Sequence, residues 1–192
     1  MLESFYDRLI SCAVTKDLIS NEEKTLYKYG LKILTQSILN VISVIIAGIL
    51  LGMLKESLVM FASFFVLRKF MGGLHLDKFT YCYISSLLIH VLGLLYVKQP
   101  WLIPKEIFVI LLILSVVSVL CLAPVEHPNK RHTNKEKKVY KLIACTSSVF
   151  LCLVSILAIL SQNFIWVGSS IGISLIISST LMCIGKVVLS FK

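Results

Sequence analysis

Charged residues are so sparse along this chain that the gaps between them mark out its elements. Uncharged stretches run over 33–54, 57–67, 79–97, 107–125 and 142–185. Crossing the hydrocarbon core of a bilayer takes about 20 apolar residues in a helix. An Asp, Lys or Arg at the centre of such a helix costs about 2.5–3.5 kcal/mol on insertion scales. The first, third and fourth stretches therefore each predict one span, and the last, double in length and divided by Ser161, Gln162 and Asn163, predicts two. The stretch 57–67 is too short alone. It reaches spanning length only if 53–55 and 68–71 lie in the interfaces with their basic side chains snorkelling. It is either a sixth, short helix or a segment that dips in and returns.

The basic residues arbitrate, because cytoplasmic loops carry the excess of Lys and Arg. With six spans and both termini in the cytoplasm, sixteen of the 19 Lys and Arg fall inside, leaving Lys55, Lys98 and Lys105 outside. A returning second segment would put 68–80 outside and drag the basic cluster of 130–141 with it. The prediction is an all-α, polytopic helix bundle of about six transmembrane helices, N-in and C-in, forming a single integral membrane domain over 1–192. Ahead of the first span, Leu2, Phe5, Tyr6, Leu9, Ile10 and Ala13 recur at helical spacing against polar neighbours. This predicts an amphipathic helix in the inner interface, within a cytoplasmic segment 1–30. Asn21 with Glu22 and Glu23 predicts the start of the next helix. Gly48 and Gly52, and Gly168 and Gly172, are GxxxG pairs, read as close helix packing within the chain.

Composition agrees: 57% of residues are hydrophobic and 15% charged, with mean hydropathy +0.90. The net charge of +9 does not point to nucleic acid, because the cations follow the loops and suit an anionic leaflet. The six Cys show no CxxC or regular spacing, so neither a disulfide framework nor a zinc site is predicted. Five of them, Cys12, Cys121, Cys145, Cys152 and Cys183, read as small packing residues. The first thirty residues lack the basic patch and apolar core of a cleavable signal peptide. No cofactor or metal motif is present.

One loop carries candidate chemistry, "RKFMGGLHLDKFTYC" at 68–82, the predicted cytoplasmic catalytic loop being 68–80. Cys82 falls in the first turns of the third span, where the helix N-terminus and the neighbouring Arg68, Lys69 and Lys78 favour a thiolate. His75 is the natural base for it. Seven residues on one helix would separate the two by about 10.5 Å, beyond hydrogen-bond reach, so His75 has to lie off the helix. Gly72 and Gly73 permit the bend that lays it back over the helix start. Asp77 either orients the imidazole or caps the helix. Taken alone, the pair also fits an interfacial His and a packing Cys.

His90, in mid-span, reads as a bundle-facing residue bonded to a Ser or carbonyl. His127 and His132 show no ligand geometry. In the basic loop 124–141, Pro124 and Pro128 break the helix, and Lys130 and Arg131 open a cationic run. It is a topology signal, or a docking surface for an acidic peptide or anionic lipid.

These two stretches together resemble the accessory gene regulator B (AgrB) family of membrane cysteine endopeptidases of quorum-sensing systems. An Arg, a Gly-Gly-x-His and a Cys seven residues after the His recur there, and "APVEHPNK" resembles the family's second recognisable segment. The resemblance covers the whole chain. It implies that Cys82 is the nucleophile and His75 its base, with Arg68 and Gly73 at further motif positions. It implies an AgrD-like propeptide as substrate, cut through a Cys82 thioester and closed to a thiolactone or lactone. It also implies a cell-membrane, multi-pass protein with its site on the cytoplasmic side, and a homodimer. Two other readings compete: a small transporter or export channel using His90, and a non-catalytic peptide-binding scaffold using 130–141. Few intramembrane polar groups, Thr35, Gln36, Asn40 and His90, support a solute pathway.

Overall fold

Each uncharged stretch becomes one helix except the last, 142–185, which is divided between two, and each helix begins or ends among the flanking charges. The structure, a computed structural model, describes residues 2–16, 19–20, 22–73, 79–125 and 133–190. Among these, seven α-helices follow one another: α1 (Leu2–Thr15), α2 (Lys24–Leu50), α3 (Leu54–Met71), α4 (Phe79–Lys98), α5 (Lys105–Leu122), α6 (Asn134–Leu160) and α7 (Ile165–Ser190). Short 3-10 turns occupy Pro100–Leu102 and Gln162–Phe164. The only extended pairing among the described residues is a single parallel bridge between Gly72 and Val125.

Five helices, α2 and α4 to α7, are long and apolar enough to cross a membrane. The stretch 57–67 lies inside α3, a continuous helix of 18 residues, about 27 Å long at 1.5 Å per residue. Lys55 and Glu56 stand at its start, Arg68 and Lys69 in its last turn. Its charges stand at its two ends, and its middle is uncharged.

The described chain divides into two compact units, Met1–Ser43 and Val44–Lys192. In the first, α1 buries Tyr6 and Ile10 and leaves Phe5 and Leu9 exposed. Lys28 pairs with Asp7, and the hydrogen bond from Lys28 holds the Asp7 carboxyl below its ordinary value of 3.8. At the lead into α2, Ser20 and Glu23 bond to each other; Asn21, where the sequence placed the helix start, lies outside the described residues. The Glu23 N–H donates to Ser20 Oγ at 3.3 Å and the Ser20 N–H to Glu23 Oε2 at 3.2 Å, a reciprocal pair that satisfies two helix-end donors.

In the second unit α7 packs against α3, α4, α5 and α6. Its buried residues, among them Gly168, Ser169, Ser170, Gly172, Ser174, Ser178 and Gly185, are mostly small. That allows close helix approach where lipid provides no hydrophobic drive. Around it, α3 buries Ser57, Met60, Ser63, Leu67 and Met71, and α5 buries Phe108, Leu112, Ser115 and Val119. These are single stripes at spacings of three and four. Serine hydroxyls tie the stripes across helices: Ser174 Oγ donates to Met60 O at 2.9 Å, and Ser155 Oγ to Gly168 O at 2.7 Å.

Three of the four paired glycines, Gly48, Gly168 and Gly172, serve this packing within the chain. A Cβ on Gly48 would meet Ser57 Cβ at 2.8 Å, and one on Gly172 would meet the Phe108 ring at 2.7 Å. Gly52 lies beyond the end of α2 with nothing within 4 Å, so it closes no contact. Cys152 belongs to the core, Cys183 packs against it, and Cys145 is half-buried. Cys12 and Cys121 are exposed, which corrects the expectation that they pack.

Candidate active site

The last turn of α3 is anchored by Leu67 and Met71, both fully buried. This fixes where the chain must leave the helix. It turns at Gly72, with φ 71° and ψ −148°, and again at Gly73, with φ 122°. Both values lie where a Cβ is strongly disfavoured. The Gly72 N–H donates to Arg68 O at 3.3 Å, and Arg68 Nη1 donates back to Gly72 O at 3.1 Å. One side chain thus braces the helix end and the turn that follows it.

The turn is held from two further directions. The Val125 N–H donates to Met71 O at 2.9 Å, and Gly72 and Val125 form the parallel bridge. The segment after α5 therefore lies along the segment after α3. On the other side, a Cβ on Gly73 would overlap Arg68 Nη1 and stand 3.0 Å from Met182 Cα and 3.1 Å from Leu181 O. The glycine backbone rests directly on α7 and on the half-buried guanidinium.

Cys82 is the fourth residue of α4. It is half-buried, and its thiol is free. Its carbonyl accepts from Ser85 Oγ at 3.0 Å and Ser86 Oγ at 2.8 Å. Arg68 in the last turn of α3 and Cys82 in the first turns of α4 stand on either side of the glycine turn in sequence. A cation and a helix N-terminus are two of the surroundings in which cysteines serve as nucleophiles.

His75, Asp77 and Lys78 lie outside the described residues, as do His127, Lys130, Arg131 and His132. Their flanks are described. Thr133 caps α6 in a reciprocal pair with Glu136: Thr133 Oγ1 accepts from the Glu136 N–H at 3.3 Å and Glu136 Oε2 from the Thr133 N–H at 2.8 Å. The first two turns of α6 carry Lys135, Lys137, Lys138 and Lys141. Tyr140 on α6 meets Phe70 edge-on at 5.6 Å, and Lys69 Nζ sits 5.5 Å from the centre of the Phe70 ring. The start of α6 is thereby fastened to the end of α3.

The sequence singles out Arg68, Gly72, Gly73 and Cys82 but not Val125, Leu181 and Met182, which hold the glycine turn, or Tyr140, which meets Phe70. Pro124 was the available signal, since a helix-breaker after α5 mirrors the glycine pair after α3. His90 is apart from this region, eight residues and about 12 Å further along α4. It is buried at 7% exposure, with Nε2 2.8 Å from Ser57 Oγ, and Ser57 Oγ donates to Val44 O at 2.9 Å.

The profile of the family described as Accessory gene regulator B matches residues 6–184. An AgrB-like protein of Clostridium perfringens (strain SM101 / Type A) is 31% identical, over 96% of this chain and 90% of its own length. AgrB-like protein 2 of Clostridium perfringens (strain 13 / Type A) is 29% identical, over 86% of this chain and 81% of its own. No solved structure matches.

Proposed function

This chain belongs to the accessory gene regulator B family, and on that premise we propose that it is a multi-pass membrane cysteine endopeptidase acting on an AgrD-like quorum-sensing propeptide. Cys82 Sγ attacks the carbonyl carbon of the bond before the acidic tail, and its proton passes to the His75 imidazole. As the tetrahedral adduct collapses, the C–N bond breaks and His75 protonates the leaving amine. The tail departs, and the remaining peptide stays on Cys82 as a thioester. An internal Cys or Ser of the propeptide then attacks that thioester carbonyl. The bond to Cys82 breaks, its sulfur recovers a proton, and a thiolactone or lactone ring is released. Ring closure needs no ATP, because the thioester retains the acyl activation.

In this reading Arg68 and Gly73 shape the loop that carries His75, Asp77 orients the imidazole or caps α4, and Lys130 and Arg131 attract the acidic tail. The observation that carries it is the Gly72–Val125 pairing. It joins the glycine turn leading to His75 with the segment leading to the basic run, at the end of the bundle where α4 begins. The carrier reading gains nothing comparable, since His90 is engaged with Ser57.

The test is incubation of the purified protein in lipid with the peptide encoded beside its gene, read by mass spectrometry. The expected result is tail release and a covalent peptide adduct on Cys82, both absent in Cys82→Ala, and cleavage absent in His75→Ala. Normal cleavage by either variant overturns the reading.

A further inference from the structure

At the far end of the second unit from Gly72 and Val125 lies a cavity of about 260 Å³. The two ends are separated by the full length of α5, about 27 Å. Its walls come from the end of α4 (Tyr96), the turn into α5 (Pro100, Ile103, Pro104), the first turn of α5 (Lys105, Phe108), and Ile159, Ile165 and Ser169. The Tyr96 and Phe108 rings stack at 5.5 Å to form one wall. The lining is almost entirely apolar, and its polar groups are few.

Those polar groups are informative. Ser169 is only 2% exposed, yet its hydroxyl makes no hydrogen bond among the described residues. Its neighbour Ser170 donates to Trp166 O at 2.7 Å, and Ser174 to Met60 O. A hydroxyl on the cavity wall with no protein partner is open to a ligand group there. At the mouth, Lys105 is exposed and has no ion pair among the described residues. It opens α5, whose cap, Pro104, supplies no side-chain hydrogen bond to the helix start. Free N–H groups and an ammonium at one helix start suit an anion. Glu106, next along, is exposed and does not line the cavity.

The chain has two Trp, Trp101 in the turn before α5 and Trp166 in the first turn of α7, so both occur at this end. Tryptophan concentrates at the membrane–water interface. An apolar slot with a cation at its mouth, set at the level of lipid headgroups, matches an anionic amphiphile.

We propose that this cavity is a binding site for an anionic phospholipid, with an acyl segment against Ile103, Phe108 and Ile159, an ester or glycerol oxygen on Ser169, and the phosphate at Lys105. The site is independent of the chemistry at the other end, and it wedges between α4–α5 and α6–α7 where α7 enters the bundle.

The test uses the full-length protein, delipidated in a neutral detergent and titrated with brominated-chain phosphatidylglycerol or phosphatidylcholine, with tryptophan quenching as the signal. The expected result is saturable quenching with at least about fivefold tighter apparent affinity for phosphatidylglycerol. Lys105→Gln, a surface change, is expected to abolish that preference. Ile103→Phe, which fills the slot, is expected to remove saturable binding of both lipids, provided its circular dichroism is unchanged. Native mass spectrometry of the wild type should retain one phosphatidylglycerol and release phosphatidylcholine, an outcome that needs no variant. Equal affinity for the two lipids, an unchanged preference in Lys105→Gln, or displacement of the lipid by millimolar inorganic phosphate alone would each overturn the proposal.

Discussion

At Gly72 an added methyl group would fall on the Val125 carbonyl, and at Gly73 on the Arg68 guanidinium, with positive φ at both. Either substitution has to open the contact between the two loops or straighten the turn. Backbone strain of this kind costs on the order of 1–3 kcal/mol, which places the loss of propeptide cleavage in Gly72→Ala or Gly73→Ala at roughly 10- to 100-fold. Gly30→Ala is the matched control. A Cβ there meets nothing within 4 Å, so cleavage by that variant should stay within about twofold of the wild type on the same propeptide assay, since an open exposed site carries little energy. Cys82→Ser should reduce cleavage to background although it is nearly isosteric, because a hydroxyl yields an alkoxide far less readily than a thiol yields a thiolate. The need for a bend was legible at these positions, since two adjacent glycines between apolar runs leave little else to expect. The partner of the bend was not. Val125 is about fifty residues away along the chain, and no local propensity encodes which extended segment will lie beside another.

Between elements, the buried serines do what charge-gap reading cannot anticipate. Ser57 has one hydroxyl proton, which goes to Val44 O, so its oxygen accepts from His90, and the imidazole carries its proton on Nε2. Polar links between membrane helices are worth about 0.6 kcal/mol on average and up to about 1.7. Ser57→Ala leaves His90 Nε2 unpaired in an apolar interior, while Val44 O keeps its bond within α2. A loss of about 1 kcal/mol is expected, read as a lower midpoint of thermal aggregation in detergent. Ser57→Ala with His90→Leu should be milder than the sum of the two single changes, because no orphaned group remains in α4. Both variants should still cut propeptide, whereas a solute carrier working through His90 would fail. His90 itself was legible as a satisfied core residue from its mid-span position. The role of α7 was not legible, since a helix buried on several sides has no single apolar stripe. Its serines and glycines resemble loop formers until four neighbouring helices are packed against them.

Across the whole molecule, the sense of the helices sorts the cations into two groups. Arg68 and Lys69 end α3, Lys135, Lys137, Lys138 and Lys141 begin α6, and Lys186 follows the Met182 turn of α7 that touches Gly73. These share the end of the bundle that holds the Gly72–Val125 bridge. Lys55 begins α3, Lys98 ends α4 and Lys105 begins α5, at the end that holds the cavity. Segregation of this kind follows from the alternation of the helices in the second unit when α3 runs unbroken. Compartment is the remaining step. A propeptide made in the cytoplasm reaches Cys82 only if the bridge end faces inward, which is also the side the excess of Lys and Arg favours. In a background lacking the six native cysteines, single cysteines at Lys98 and Lys105 are expected to react with a membrane-impermeant maleimide on intact cells. Cysteines at Lys135 and Lys186 are expected to react only after permeabilisation. The reverse pattern would set the thiol and its imidazole on the outer face, away from newly made peptide, and a cytoplasmic processing enzyme would no longer be a tenable reading of the fold.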